Sequence, residues 1–318
     1  MPRILISGSI AYDILLGFEG SFTDTIRPES LETLSAFHLS PHYVRRNGGT
    51  GANIAWGIAT LQQKPLLVGA VGRDGKEYVS LLKQRGVLTQ YVEQLPDHIT
   101  ATAIIGTDSK ERQIGFFHPG ADAHGTWPDL DSEAAEIGYA ISSPRDVIAM
   151  TACVKWCHQQ GIPILFDPGQ QVHIFSDDEL RRAVKLSSMV IMNAYEWNIL
   201  KGKLACDEKT ITEYVDVAIV TKGEAGLTYF DSAGAHEIGA CQPQAVVNPT
   251  GAGDALRAGL LSGLTAGWPL PQACQLGCAM GSFAVEIDGT LIEIDDPEII
   301  FERAQQTYRE KLPALAAA

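Results

Sequence analysis

The sequence predicts an α/β fold, a mainly parallel sheet with helices on both faces. Short apolar runs alternate with longer helical patterns, the arrangement that places helices on the two faces of a sheet. An apolar content of 45% over 318 residues is enough for one large core. Glycine-rich turns lead into helical patterns at both ends of the chain, where such a fold binds ligands, beyond the carboxyl ends of its strands.

In chain order, Arg3 to Ser7 reads as the first buried strand and Ala52 to Gln62 as the first long helix. Leu66 to Val71, Ile137 to Ile141, Ile164 to Phe166, Val190 to Met192 and Ala218 to Thr221 read as further strands. Lys76 to Arg85, Pro144 to Gln160 and Asp177 to Leu186 read as the helices between them, and the chain is helical after Gly253. Two segments break the rhythm. Residues from about 14 to 46 are polar with few periodic signals, and Thr100 to His118 alternates around a Gly106-Thr107-Asp108-Ser109 turn. The residues alone make these an irregular insertion and a hairpin.

A net charge of −14 opposes binding to nucleic acid, whose partners gather Lys and Arg against phosphate. Any phosphate ligand must therefore be held locally, by backbone N–H groups and a metal. The six cysteines form no Cys-x-x-Cys pair, so reduced thiols are expected. Cys153, Cys157 and His158 could be read as metal ligands, but four-residue spacing on a helix marks a buried stripe, and no zinc is assigned. Met1-Pro2-Arg3 runs straight into apolar Ile4-Leu5-Ile6 without a signal-peptide pattern, and no run has the length of a membrane span, so a cytoplasmic protein is expected.

The most informative stretch is Val247-Asn248-Pro249-Thr250-Gly251-Ala252-Gly253-Asp254, a turn that delivers an aspartate onto an apolar helix. Uncovered N–H groups at a helix start attract phosphate, and a carboxylate there can take a proton from an attacking hydroxyl. Read alone, such a turn is more often a loop closing onto a helix cap. A second glycine element, Gly48-Gly49-Thr50-Gly51-Ala52-Asn53-Ile54-Ala55, also opens a helical pattern and makes a shared site plausible.

With these two elements the chain resembles the PfkB/ribokinase family of small-molecule kinases. Gly8-Ser9-x-x-x-Asp13, Gly69-x-Val71-Gly72-x-Asp74, Asn193-x-x-Glu196 and Thr221-x-Gly223-x-x-Gly226 follow in family order along nearly the whole chain. Asp254 to Gly259, Phe166-Asp167-Pro168-Gly169-Gln170 and Phe117-x-Pro119-Gly120-Ala121 are most similar to prokaryotic adenosine and nucleoside kinases. The resemblance implies a single ribokinase-like α/β kinase domain over 1–318, with a small β-sheet lid formed by about 14–46 and 97–120. It implies transfer of the ATP γ-phosphate, with Mg2+, to the 5′-hydroxyl of a nucleoside, adenosine first. A sugar kinase acting on ribose, fructose or a related furanose is the alternative. A non-catalytic nucleoside or nucleotide sensor is the alternative of another class.

The roles follow residue by residue. Asp254 is the expected base, kept ionised by the helix dipole, and the N–H groups of Gly251, Ala252 and Gly253 form the anion hole. Asp13 is expected to accept hydrogen bonds from two sugar hydroxyls, with Gly48, Gly49, Thr50 and Asn53 completing the sugar wall. Locally, Asp13 could as well be a turn aspartate, and Asn53 a small-residue helix start. Glu196 is expected to hold Mg2+ through water beside Asn193, although an exposed helix start would carry the same Glu. Thr221, Gly223 and Gly226 are expected to border the nucleotide.

From Pro271 onward small residues fall at four-residue spacing on Ala273, Gly277 and Gly281. Close helix packing explains this stripe; the family places adenine nearby, which adds Ala279 to the nucleotide site. Arg112, at the lid hairpin, is expected to reach the transferring phosphate on closure, or else to be a solvated hairpin charge. Phe116 or Phe117 would stack on a purine, though strand alternation turns one of them away. Asn248 stands where many relatives have Asp, which puts a monovalent-cation site in doubt, and Leu256 replaces the commoner aromatic. No Gly-x-x-x-x-Gly-Lys-Ser/Thr is present, so the chain is not a P-loop enzyme. Exposed lid strands leave room for a homodimer through the lid.

Overall fold

The apolar runs pair as expected, and the sheet they form is longer than the sequence indicates. A computed structural model describes residues 2–26, 32 and 34–315. Its strands are β1 (Arg3–Ser7), β2 (Ala11–Gly17), β3 (His42–Gly48), β4 (Pro65–Gly72), β5 (Leu88–Leu95), β6 (Ala101–Thr107), β7 (Gln113–His118), β8 (Ile137–Ser142), β9 (Ile164–Phe166), β10 (Met189–Asn193), β11 (Val217–Thr221), β12 (Leu227–Asp231) and β13 (Gly234–Ile238). Its helices are α1 (Phe22–Thr25), α2 (Thr50–Thr60), α3 (Lys76–Gln84), α4 (Val147–Gln160), α5 (Asp177–Lys185), α6 (Ala194–Leu204), α7 (Ala252–Thr265), α8 (Leu270–Ala284) and α9 (Glu298–Tyr308).

Nine strands form the main sheet in the order β13-β12-β11-β10-β9-β8-β1-β4-β5. All pairs from β5 to β11 are parallel, and β12 and β13 extend the edge as an antiparallel hairpin. On one face α2, α7 and α8 pack with Ile4, Ile6 and Ile191; on the other α4, α5 and α6 pack with Leu5, Phe166 and Val190. Alternate residues of one strand thus feed two cores, because successive side chains of a strand point to opposite faces. Cys153 and Cys157 are buried within the second core. No helix among the described residues is long and apolar enough to cross a membrane.

A separate four-stranded sheet, ordered β3-β2-β6-β7, forms from the two segments that break the rhythm. It is mixed: β2 pairs antiparallel with β3 but parallel with β6. The expected irregular insertion therefore contains two strands, β2 and β3, and β2 begins at Ala11, before the expected boundary. Residues 27–31 and 33 of that insertion lie outside the described residues.

Helix boundaries follow local chemistry. The helix expected from Pro144 starts at Val147, because Asp146 caps it by accepting from the Ile148 and Ala149 N–H groups. Ser176 and Glu179 form a reciprocal capping box at the start of α5.

The small-residue stripe on α8 is a helix contact. A Cβ on Gly277 would lie 2.6 Å from Leu256 O, and one on Gly259 would lie 2.7 Å from Leu276 O, so the missing side chains let α7 and α8 approach closely. Gly277→Ala is expected to force the helices apart and cost about 1–3 kcal/mol. A urea melt checks this against Gly202→Ala, whose Cβ meets nothing within 4 Å; equal midpoints would refute the packing account.

Candidate active site

The loops at the carboxyl ends of β1, β9 and β10 converge on the start of α7. After β1, the Gly8 turn leads into β2, which carries Asp13, and β3 returns beside it to end at Gly48. A Cβ on Gly48 would stand 2.6 Å from Asp13 Oδ2, so glycine there lets the chain pass the carboxylate. Gly49 has φ +91°, and a Cβ on it would lie 2.5 Å from Ala11 N; this turn into α2 admits only glycine. The Thr50 N–H donates to Ser9 Oγ, and the Thr50 hydroxyl lies 3.2 Å from Pro144 O. Thr50 thus fastens α2 to the strand ends. Burial pushes the Asp13 carboxyl above its ordinary value, and Arg46 alongside opposes the shift.

Asp254 sits in the first turn of α7, behind Gly251, whose φ of +86° marks a left-handed cap. The Ala252 N–H bonds to Pro249 O at 3.3 Å. Among the described residues no hydrogen bond ties the Gly251 or Gly253 N–H to another part of the protein, which leaves both free to donate to an anion. Asn53 of α2 donates from Nδ2 to Asp254 Oδ2 at 2.8 Å, so the two glycine elements meet. Burial pushes Asp254 up to about 6, partly offset by the Asn53 hydrogen bond and the Arg257 charge, while Asp167 and Asp13 raise it further. The expected stabilising dipole does not dominate: desolvation wins. At pH 7 the group is still mostly ionised, and its basicity is far better matched to proton acceptance than an ordinary aspartate's.

One turn further along α7, Arg257 forms a two-pronged ion pair with Asp167, Nε to Oδ2 at 2.5 Å and Nη2 to Oδ1 at 3.0 Å. Arg257 is 7% exposed and Asp167 2%. The third guanidinium nitrogen donates to Gly253 O at 3.0 Å, so this pair fixes the turn that holds Asp254. Burial works against the Arg257 charge, but Asp167, Asp254 and Glu196 together raise its pKa.

Asn193 caps α6, accepting from the Glu196 N–H, while Glu196 Oε2 accepts from the Asn193 N–H. Glu196 is buried, not the exposed helix-start residue of the alternative reading. Burial raises its pKa, opposed by the Asn193 hydrogen bond. Thr221 pairs with Asn193 at the strand ends, and Gly223 and Gly226 both hold positive φ in the turn beyond. A Cβ on Gly226 would lie 2.1 Å from Ile238 O. Ala279 has 0% exposure inside the core formed with α7 and presents no surface to this site.

The lid orders its residues in rows. Arg46, Asp13, Ala103 and Phe117 are paired across β3, β2, β6 and β7, and directly paired residues share a face. Phe117 therefore stands on the face of Asp13, whereas Phe116, in the row of Ile104 and Ile14, faces away and is removed as a stacking candidate. Arg112 lies away from the Asp13 row in this structure. Its guanidinium bonds to Asp108 and to Ser21 Oγ at the hairpin tip. Gln113 pairs with Thr107, four positions beyond Ala103, about 13 Å along a strand from the Asp13 row. The ion pair with Asp108 explains why Arg112 stays at the tip. Arg46, a lid cation beside Asp13, is bonded to Asp288 Oδ2 at 2.5 Å next to a cleft of about 360 Å³.

Sequence reasoning missed Arg46, Arg257, Asp167 and Thr290 as site residues. Arg257 and Asp167 lay within quoted motifs, and a charge on an otherwise apolar segment was the available signal. Thr290, which bonds to Asn53 Oδ1, carried none.

Fold and site together define a ribokinase-like α/β phosphotransferase. The profile of the pfkB family carbohydrate kinases matches residues 22–297, and the chain belongs to that family. It is 31% identical to the nucleoside kinase of Methanothermobacter thermautotrophicus over 304 residues, 92% of either chain. The Burkholderia thailandensis nucleoside kinase solved with inosine superposes with a TM-score of 0.84 at 31% identity, covering 97% of this chain and 99% of that one. The same enzyme with ADP-inosine gives 0.82 at 31% identity, covering 98% of each. The Methanocaldococcus jannaschii nucleoside kinase gives 0.87 at 27% identity, covering 96% and 99%. Family membership carries the reaction class, phosphoryl transfer to an alcohol acceptor.

Proposed function

We propose that this protein transfers the γ-phosphate of ATP to the 5′-hydroxyl of a nucleoside, adenosine first. The observation that carries the reading is the meeting of the Asp254 carboxylate with the free N–H groups of Gly251 and Gly253 on one turn. Asp254 accepts the proton of the attacking hydroxyl, and the glycine N–H groups receive the developing phosphate charge. Asp13 holds the sugar hydroxyls, and Phe117, on the same lid face, gives a base an aromatic partner. Similarity to nucleoside kinases along nearly the full length supports the nucleoside over the free sugar.

Among the described residues no three acidic, His or Cys side chains cluster as a direct metal cage, so a magnesium ion here would be held largely through its own waters. Asp13, Asp167, Asp254 and Glu196 outnumber Arg46 and Arg257 around the turn, and a divalent cation offsets that surplus. Glu196 would hold it through water; the ion would neutralise charge on the phosphates. The six cysteines are all unpaired thiols, in keeping with reaction in the cytoplasm. A second copy is expected to pair along the lid, whose edge strands expose Tyr43, Val44 and Phe116.

Incubation with Mg-ATP and a mixed panel of nucleosides and furanoses, followed by product mass analysis, tests the reading. Phosphate on a nucleoside supports it; phosphate only on a free sugar supports the carbohydrate-kinase alternative. The pH profile gives a second test. Because Asp254 must be ionised, kcat/KM is expected to fall as pH drops through about 6. A profile flat down to pH 5 would contradict its role. The sign for stability is opposite: a carboxyl raised above its unfolded value makes the free protein gain stability as pH falls from above 6 towards 4.

A further inference from the structure

Asn53 is hydrogen-bonded at both ends of its amide, so its orientation is set by its two neighbours. Nδ2 donates to Asp254 Oδ2 at 2.8 Å, and Oδ1 accepts from Thr290 Oγ1 at 2.9 Å. The Thr290 hydroxyl also lies 3.2 Å from Asn47 O, the lid-strand carbonyl just before Gly48. Thr290 is 9% exposed and backs onto Gly251, where a Cβ would stand 3.1 Å from it. A hydroxyl carries one hydrogen, so it serves one of two carbonyl acceptors fully at a time.

We propose that Thr290 is a positioning residue for Asp254. By donating to Asn53 Oδ1 it holds the amide with its NH2 towards the base, and through Asn47 O it ties that orientation to lid strand β3. The inference rests on the reading of Asp254 as the base.

The chain has a direction. While Asp254 is ionised, donors run from Thr290 to Asn53 to Asp254, and each acceptor is an oxygen. A proton taken up at Oδ1, the oxygen that Asn53 leaves free, keeps these directions, and Asn53 then donates to a neutral carboxyl, a weaker acceptor than the carboxylate. The orientation that Thr290 enforces therefore favours the ionised base. Without the hydroxyl, Asn53 loses the donor that fixes its orientation, and its oxygen can turn towards the carboxylate.

Thr290→Val removes the hydroxyl at nearly constant shape, Thr290→Ser retains it, and Thr290→Ala serves if valine prevents folding. None changes the groups that face Asp254: Arg257 on its own helix, Asp167 after β9, Asp13 on β2, Tyr78 on α3 and Asn53 on α2. The direct readout is the Asp254 carboxyl resonance followed against pH by NMR without substrate, alongside the pH profile of kcat/KM. In Thr290→Val both midpoints are expected to rise by about half to one pH unit, the scale of one lost hydrogen bond. We expect kcat to fall several-fold with little change in KM, and Thr290→Ser to restore both. If Thr290→Val melts lower but leaves the titration unmoved, Thr290 only packs and the proposal is overturned. If the titration moves while the wild-type protein phosphorylates no nucleoside, the positioning role stands and the kinase reading falls.

Discussion

Asp254→Asn is expected to lower kcat about a thousandfold while leaving nucleoside affinity within a few-fold. General-base assistance is worth roughly 10²–10⁴. The loss should appear in kcat and kcat/KM alike, since proton transfer occurs only on the way to the transition state. The amide retains an oxygen to accept from Asn53 and removes a charge that burial disfavours, so the variant should be no less stable at pH 7. Near wild-type turnover would remove Asp254 from the mechanism.

The second large effect concerns stability. Arg257→Ala would leave Asp167, 2% exposed, as a buried carboxylate without its partner. Breaking such a pair costs about 3–5 kcal/mol, whereas replacing both members by apolar groups of similar volume is close to neutral. Urea unfolding of Arg257→Ala, Asp167→Leu and the double variant Arg257→Met/Asp167→Leu separates the cases. The double variant is expected to be more stable than either single one yet still impaired in catalysis, because Gly253 O has lost its anchor. Additive destabilisation would show that the pair is not a unit.

Much of the fold is legible in the sequence because strand and helix write different periods into a chain. β1 and β9 have the expected bounds, and α2 to α5 begin or end within a few residues of theirs. β5, β12 and β13 escape because they lie towards the sheet edges and are only half apolar. Asp254, Asn53 and Asp13 are legible as site candidates because glycine turns announce where backbone passes close to something. The contacts that tune them are not. Thr290 meets Asn53, and Asp167 meets Arg257, across long stretches of chain, and no local pattern encodes such distances. Ala279 and Arg112 show a related effect, because a small residue or a charge is often claimed first by its own neighbours, here helix α7 and Asp108.

The most direct test of the central claim compares kcat/KM for adenosine or inosine with that for free ribose, under saturating Mg-ATP, with the phosphate located on the product by NMR. A nucleoside advantage of at least about tenfold, equivalent to about 1.4 kcal/mol of base recognition, and phosphate on the 5′-oxygen are predicted. Equal or greater efficiency with ribose, or phosphate at another oxygen, would contradict the account.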